Sequence, residues 1–254
     1  MKRTMLYFGS FNPVHRGHIA LAEHVLRKGL CDNVVLVVSP QNPMKQESTL
    51  LPELTRFEMA EIACRESAFP DAIMPSAVEF LLDKPSYTIN TLRFLQQNNG
   101  SEMRFSILMG ADNIEKFHLW READAILADY EIYVYPRKGC DGGELLQKVH
   151  YLADAPLFDC SSTDIRNALA HGRDVSAMLP AGVLDYIRRN GLFPQTAADR
   201  KAEGVEHYRR NEWGAALNAF RAAVRENPDD AESQEYIKMI EERLAFRYKD
   251  IYNP

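Results

Sequence analysis

The clearest chemical signal in the sequence is a pair of histidines, His15 and His18, three residues apart. They close a ten-residue segment that follows a predicted strand and opens a predicted helix, Gly9-Ser10-Phe11-Asn12-Pro13-Val14-His15-Arg16-Gly17-His18. Such a loop offers unpaired backbone N–H groups and a partial positive charge, which together suit a phosphate. Gly9 lets the backbone approach closely. Because residues three apart share one side of a helical turn, both imidazoles can donate hydrogen bonds to one triphosphate.

Two other interpretations of the histidine pair are a structural turn and a metal site. A His-x-x-His pair standing alone is more typical of a turn. A transition-metal site needs further ligands, which no neighbouring residue clearly supplies. The complete segment favours phosphate binding, and no metal ligand can be named from the sequence.

A second candidate segment, Ser161-Ser162-Thr163-Asp164-Ile165-Arg166, also follows a strand-like run, Leu157 to Cys160, and opens a predicted helix. Ser161 followed three residues later by Asp164 approximates a capping box, which by itself is a purely structural feature. Arg166 adds a guanidinium that, with the hydroxyls, could hold the β- and γ-phosphates opposite the histidine loop.

The elements that would position these residues follow an α/β pattern from Met5 to Phe193. Short apolar runs alternate with amphipathic segments, which indicates a Rossmann-like, mostly parallel sheet with helices on both faces. Strands are predicted at Met5–Gly9, Val34–Ser39, Arg104–Gly110 and Glu131–Tyr135. Helices are predicted at about Gly17–Lys28, with Gly29 as the stop, Pro52–Glu66 and Ile89–Gln97.

The character of the chain changes after Phe193. Residues 194–199 lack apolar periodicity and are predicted to be a linker between a first domain, 1–193, and a small all-α extension, 200–254. The extension shows three helical segments, broken near Asn211 and at Asn227-Pro228-Asp229. Part of it resembles one tetratricopeptide repeat, through Gly204, Tyr208, Trp213, Ala216, Leu217, Phe220, Ala223 and Pro228. A self-contained helical hairpin and a surface for a protein partner or self-association both remain open.

Composition restricts the class of protein and its surroundings. Of 254 residues, 46% are hydrophobic and 26% charged, which is ordinary for a globular protein with a full core. A formal net charge of -6 argues against broad nucleic-acid binding. The four cysteines are far apart, and no apolar stretch suits a signal peptide or a membrane span. We therefore expect a cytoplasmic protein without membrane or nucleic-acid partners.

The histidine segment resembles the T/H-x-G-H signature of the nucleotidyltransferase superfamily. In that superfamily both histidines contact ATP phosphates, and the second is the more strongly implicated in stabilising the transition state. The segment Ser161–Arg166 resembles the superfamily's I-S-S-T-x-x-R motif, with Cys160 in place of the usual Ile. The resemblance implies catalytic roles for His15, His18 and Arg166, and ATP contacts from further residues of both segments, namely Gly9, Ser10, Phe11, Ser161, Ser162 and Thr163.

Three further segments resemble the nicotinate mononucleotide adenylyltransferases. Pro85-Ser86-Tyr87-Thr88 with Thr91-Leu92 is similar to P-S-Y-T-x-x-T-L, Gly110-Ala111-Asp112 to G-x-D, and Phe117-His118-Leu119-Trp120 to F-x-x-W. The resemblance implies that Thr88 places the nicotinate carboxylate, Asp112 contacts ribose hydroxyls and Trp120 stacks on the pyridine ring. Trp120 could instead anchor the core.

One segment departs from the family pattern. The family shows P-x-x-x-P-P-H-K after the second strand, whereas this chain has Pro40-Gln41-Asn42-Pro43-Met44-Lys45, which is shorter and lacks the histidine. Lys45 could still reach a phosphate as a mobile charge.

The resemblance implies transfer of the adenylyl group of ATP, accompanied by Mg²⁺, to nicotinate mononucleotide. Nicotinamide mononucleotide and phosphopantetheine remain alternative acceptors, because the two ATP motifs do not identify the acceptor. An inactive nucleotide fold whose extension recruits a partner is the alternative from a different class.

Overall fold

The computed structural model describes residues 1–40, 50–99, 102–194 and 197–252. Within these ranges, β-strands alternate with helices to form an α/β fold, and further helices follow the last strand, as the sequence pattern predicts. The six strands are β1 (Lys2–Gly9), β2 (Asn33–Val38), β3 (Ile73–Ser76), β4 (Met103–Gly110), β5 (Glu131–Tyr135) and β6 (His150–Tyr151). They form one sheet in the order β3-β2-β1-β4-β5-β6, and every neighbouring pair is parallel.

Helices connect the strands and follow the last one. They are α1 (Arg16–Arg27), α2 (Glu53–Arg65), α3 (Thr88–Asn99), α4 (Ala111–Ile114), α5 (Ala123–Asp129), α6 (Ser162–Ala170) and α7 (Ala181–Arg189). Three more come later in the chain, α8 (Ala197–Arg209), α9 (Trp213–Glu226) and α10 (Ala231–Tyr252). Within the described ranges, no helix is long and apolar enough to cross a membrane.

The four predicted strands and three predicted helices of the first domain are confirmed to within three residues at each end. Gly29, with a φ of 65°, ends α1 as predicted, and Leu30 N–H donates to the Val25 carbonyl across that turn. The predicted strand at Leu157–Cys160 is wrong. Leu157 is 67% exposed, and an apolar run that neither pairs with a neighbour nor faces the core does not form a strand.

Two edge strands were not predicted. The four-residue β3 contains Pro75, which sheets tolerate at an edge because no N–H is needed there. The two-residue β6 is exposed and has no apolar pattern. Neither strand carries the alternation or apolar run from which a strand is predicted.

The core around the sheet is built from residues of the central strands and the helices beside them. Leu6 of β1, Val37 of β2 and Ile107 of β4 are at most 1% exposed and belong to one buried cluster. Leu92 of α3 and Phe117 pack into the same cluster. Buried β1, flanked by β2 and β4, therefore brings the loop after it to the middle of the sheet's carboxyl edge.

By its internal contacts the chain divides into two compact units. One comprises Met1–Ile165 and Ser176–Arg188, and the other Arg166–Val175 and Arg189–Pro254. In the second unit, Ala216, Phe220 and Ile240 form a small buried core, and the Phe220 and Tyr236 rings stack with centroids 4.6 Å apart. A Cβ on Gly204 would lie 2.8 Å from the Phe220 ring, so glycine allows that ring to approach α8.

The helices of this unit follow the sequence prediction closely. Their breaks fall at Asn211, which has a φ of 62°, and at residues 227–230. Helix α8 begins at Ala197, so residues 197–199 of the predicted linker are helical.

Candidate active site

The predicted phosphate loop lies at the carboxyl end of β1, where it runs into α1. His15 is the N-cap of α1, and its Nδ1 accepts a hydrogen bond from Gly17 N–H at 3.1 Å. In return, His18 Nδ1 accepts from His15 N–H at 3.1 Å. The two imidazoles thus form a reciprocal capping box, a position more often held by Ser or Thr with Glu.

This capping arrangement fixes the tautomer of both rings. A nitrogen that accepts a hydrogen bond carries no proton, so in the neutral imidazoles the proton is on Nε2. The rings are stacked with centroids 3.6 Å apart and planes 30° apart, so they lie on the same side of the first turn, as the spacing predicts. The helix start therefore holds both rings in a fixed orientation.

His15 is neutral at physiological pH. Burial lowers its pKa to about 4, and the nearby positive charge of Arg137 acts in the same direction. Only 3% of the residue is exposed. Its ring is therefore an uncharged imidazole rather than a cation.

The residues before the histidines mainly determine the conformation of the loop and are largely buried. A Cβ on Gly9 would lie 2.9 Å from the Phe11 ring, so this close approach requires glycine. Phe11 has a φ of 47°, is 2% exposed, and packs edge-on against Tyr7 and His18. Ser10 is buried as well. Any contact of Phe11 with ATP would therefore come from its backbone.

The start of α6 lies close to the histidine loop. Ser162 Oγ donates to the Pro13 carbonyl at 2.9 Å, and the Asp164 carboxylate acts on the pKa of His15. Asp164 Oδ2 accepts from Ser161 N–H at 2.8 Å and from its hydroxyl at 2.6 Å, and Asp164 N–H donates to Ser161 Oγ. The predicted capping box is therefore present, and the start of α6 lies beside the start of α1. Thr163 is exposed there.

The two other predicted phosphate contacts have a different status. Arg166 follows on α6 and belongs to the second compact unit; burial lowers the pKa of its guanidinium. Lys45 lies outside the described residues. The roles of both remain predictions.

A cation outside the predicted site residues lies at the end of β5. Arg137 follows β5 and is about one-third exposed, its Nε lies 3.4 Å from Asp112 Oδ1, and its guanidinium covers the Tyr135 ring at 5.7 Å. Asp112 is the second residue of α4, directly after β4, where the sequence places it. Because Arg137 also affects the pKa of His15, it adds positive charge close to the phosphate loop. Its position just after a buried strand was the signal that could have identified it.

Two of the three predicted acceptor segments are joined by a cation–π contact. The guanidinium of Arg121 lies 5.0 Å from the centre of the Tyr87 ring, which joins the segment ending at Trp120 to the start of α3. Thr88, half-buried, is the first residue of α3. Trp120 is half-buried with its ring 5.2 Å from that of Phe117, so one part packs on the core and the rest is accessible.

A cavity of about 610 Å³ lies elsewhere, at the amino ends of β4 and β5. Its lining includes Gln96, Phe105, Tyr130, Glu131 and His150. Open parallel sheets bind ligands outside the carboxyl ends of their strands, and both predicted phosphate segments lie there. We therefore place the candidate active site at the carboxyl edge rather than in this cavity.

Comparison with known proteins identifies the class. Residues 6–168 match the cytidylyltransferase-like family, a range that contains both helix starts. The fold and the site thus define a nucleotidyltransferase.

Proteins of similar sequence identify the family within this class. Proteins named "Probable nicotinate-nucleotide adenylyltransferase" from Flavobacterium johnsoniae and Bacteroides fragilis are 38% and 39% identical to this chain over 191 and 187 residues. The matches cover 74% and 73% of this chain and 97% and 90% of the relatives. The chain belongs to the nicotinate-nucleotide adenylyltransferase family.

Solved structures agree on the fold. The nicotinic acid mononucleotide adenylyltransferase of Plasmodium falciparum, complexed with NaAD, superimposes with a TM-score of 0.63 at 18% identity. That match covers 76% of this chain and 98% of the other.

Proposed function

We propose that this enzyme joins the adenylyl group of ATP to nicotinate mononucleotide, forming nicotinate adenine dinucleotide and pyrophosphate. The observation that carries the proposal is the start of α1, where two stacked imidazoles have their Nδ1 atoms occupied by backbone N–H groups. Family membership supports the choice of acceptor.

In the proposed reaction an oxygen of the acceptor's 5′-phosphate attacks the α-phosphorus of ATP in line, and the bond to the departing pyrophosphate breaks. The nucleophile is already ionised, so no general base is required. Catalysis then rests on holding two anions together and on neutralising charge in the transition state. Imidazole N–H donors and helix N-termini supply that environment without changing their protonation.

We propose that ATP enters as its magnesium complex. Among the described residues there is no cluster of three or more His, Cys, Asp or Glu side chains that could hold a metal. Magnesium is usually held by phosphate oxygens and water with few protein ligands, so the ion can arrive with its nucleotide. Thr88, Asp112 and Trp120 are proposed to bind the acceptor. Lys45 and Arg166 are proposed as additional phosphate contacts.

The acceptor is tested by measuring pyrophosphate release with ATP and each acceptor in turn. Nicotinate mononucleotide should give the highest kcat/KM, because donors arranged around a carboxylate cannot all be satisfied by a carboxamide. An equal value with nicotinamide mononucleotide would contradict the assignment, and preference for phosphopantetheine would replace it. No turnover with any acceptor would favour the inactive scaffold.

We also propose the division of the chain into a nucleotidyltransferase domain (1–193), a short connection (194–199) and a helical extension (200–254). The two relatives are matched over at least 90% of their own lengths by about three quarters of this chain, so the remainder is additional. From Gln195 onward the chain has 10 Lys and Arg against 12 Asp and Glu, a net charge of -2. Contact with protein, a partner or another copy, therefore suits the extension better than attraction of anionic nucleotides.

A further inference from the structure

A fully buried arginine lies beneath the two loops at the carboxyl ends of β1 and β2. Arg56 of α2 is 0% exposed, and its guanidinium donates to backbone carbonyls. Nη1 donates to Ser10 O at 2.6 Å and to Ser39 O at 2.7 Å, Nη2 to Pro40 O at 2.9 Å, and Nε to Leu51 O at 2.9 Å. One side chain thus joins the phosphate loop after β1 to the chain that leaves β2.

A buried carboxylate, that of Glu79, lies next to α3, the helix that carries the proposed acceptor contact Thr88. Glu79 is 2% exposed, and its Oε1 accepts from the hydroxyl of Thr91, which is 0% exposed, at 2.9 Å. Thr91 lies one turn after Thr88 on α3. Burial raises the pKa of Glu79, while the hydroxyls of Thr91, Ser39 and Ser86 act against that shift.

Ser39 is common to both groups. Its carbonyl accepts from Arg56, and its N–H donates to the Gly9 carbonyl at 2.9 Å. Val37, two residues before Ser39, pairs with Ser76, three residues before Glu79, so the end of β2 lies beside the turn that carries Glu79, whose pKa the Ser39 hydroxyl lowers. We call Arg56, Ser39, Glu79 and Thr91 the buried bridge. It runs from the loop before His15 to the first turn of α3, and it uses side chains that lie below the predicted substrate contacts.

We propose that Arg56 and Glu79 are positioning residues that fix the ATP half of the site relative to the acceptor half through Ser39. The proposal rests on the proposed function, because an in-line transfer between two bound anions depends on their separation. A misplacement of about 1 Å can cost about 10²-fold in rate. A guanidinium with several planar donors can hold several carbonyls at once, which an ammonium cannot do in the same geometry.

The test is a double-mutant cycle with Arg56→Lys and Glu79→Gln. Rates are normalised to folded enzyme, and KM is measured for each substrate. Arg56→Lys should raise the KM for ATP, Glu79→Gln should raise the KM for the acceptor, and each should lower kcat by about tenfold or more. Either substitution alone should already misalign the two bound substrates. The kcat of the double variant should therefore lie within about threefold of that of the slower single variant.

A merely structural role predicts a different result, namely lower stability with both KM values unchanged. That outcome overturns the proposal, as do kcat losses that multiply in the double variant. If Arg56→Lys does not fold, Ser39→Ala replaces it in the cycle, because it removes the hydroxyl that lowers the pKa of Glu79 and keeps the carbonyl bound by Arg56. Ser39→Ala should then raise the KM for the acceptor and be non-additive with Glu79→Gln, and independent effects overturn the proposal.

The matched control is the exposed pair Arg65 and Glu61 on the same helix, whose Nη2 and Oε1 are 2.8 Å apart. Arg65→Lys, Glu61→Gln and their double variant should leave kcat and both KM values unchanged. The cycle is run with whichever phosphorylated acceptor supports turnover. If nicotinate mononucleotide is the wrong acceptor, the comparison of acceptors with the wild-type enzyme shows it. The double-mutant cycle still tests the buried bridge in that case.

Discussion

The imidazoles of His15 and His18 combine a structural role with the chemistry proposed for them. Each Nδ1 accepts a backbone N–H, which stabilises the start of α1 and orients the ring. The same bonds place the proton of each neutral ring on Nε2. A phosphate approaching the helix N-terminus would therefore meet donors that need no reorientation, which is the condition for strong electrostatic stabilisation of a transition state.

Replacing His18 by Ala should lower kcat by about 10²-fold or more, because the lost donor acts chiefly on developing phosphate charge. Stability should fall by at most about 1 kcal/mol, the usual cost of one capping interaction. Steady-state kinetics and thermal melting measure the two effects. The exposed His118 provides the control, since His118→Ala should retain near wild-type kcat. Near-normal kcat in His18→Ala would refute the assignment.

His15→Asn should change how stability depends on pH, since Asn keeps a side-chain oxygen for the N-cap and has no imidazole. The pKa of His15 is about 4 when folded and about 6.5 when unfolded, so between those values the unfolded chain binds more protons. Stability is therefore lost as the pH falls from about 6.5 toward 4. From pH 7.5 to 5 the wild type should lose about 1–2 kcal/mol more unfolding free energy than the variant.

Denaturant unfolding of both proteins at the two pH values measures the difference. His118→Asn should follow the wild type. Parallel losses in the wild type and His15→Asn would mean that His15 titrates near its ordinary value in the folded protein.

At the scale of elements, the proposed acceptor side is built from two short segments. The turn after α4 carries Trp120, and the start of α3 carries Thr88, with Tyr87 just before it; the contact between Arg121 and the Tyr87 ring joins the two segments. Trp120 packs partly on Phe117, so its ring is fixed from one side. A ring held in this way can stack on an aromatic ligand with little loss of conformational entropy.

Trp120→Ala should raise the KM for nicotinate mononucleotide several-fold more than the KM for ATP, because the lost surface faces the acceptor. Steady-state kinetics with each substrate varied in turn gives both values. The matched control is the chain's other tryptophan, since Trp213→Ala changes only the second unit's core and should leave the acceptor KM unchanged. If Trp120→Ala instead fails to fold, the core-anchor interpretation is favoured.

At the scale of the whole molecule, the helices after β6 raise the question of how much of the chain the chemistry needs. All residues assigned a chemical role precede Phe193, and α8 to α10 have their own small core around Phe220. His171, which follows α6, has its Nε2 3.3 Å from Oδ1 of Asp199 in α8. Removing the extension would break that contact.

A chain ending near residue 195 should fold and retain most of its adenylyltransferase activity. Its melting temperature should decrease modestly, because residues 166–175 lose their neighbours within the second unit. Turnover, thermal melting and molar mass in solution are to be compared with those of the full-length protein. A shortened chain that is folded but inactive would mean that the extension completes the active site or an obligatory oligomer. A change in molar mass would assign it to self-association.

The sequence by itself determined the parts of this protein that depend on local order along the chain. The strand–loop–helix pattern around Gly9 to His18 predicts a capped helix start, and the spacing of the histidines predicts rings on one side, because both follow from a single turn of backbone. The same holds for α1 ending at Gly29 and for the helical extension. The motifs also identified the family, since the segments around Thr88, Asp112 and Trp120 resemble its pattern.

Only the tertiary structure decided which distant residues meet. Arg56 binds Ser10 across 46 positions, and Tyr7 meets Tyr135 across 128, because the order of strands places β2 and β4 beside β1 and β5 next to β4. In sequence, Arg56 is one more charged residue in a helix, and Glu79 one acid in a short turn. Their burial, the hydrogen bonds that compensate it, and the proximity of Arg137 to His15 arise from strand order and packing, which no local pattern encodes.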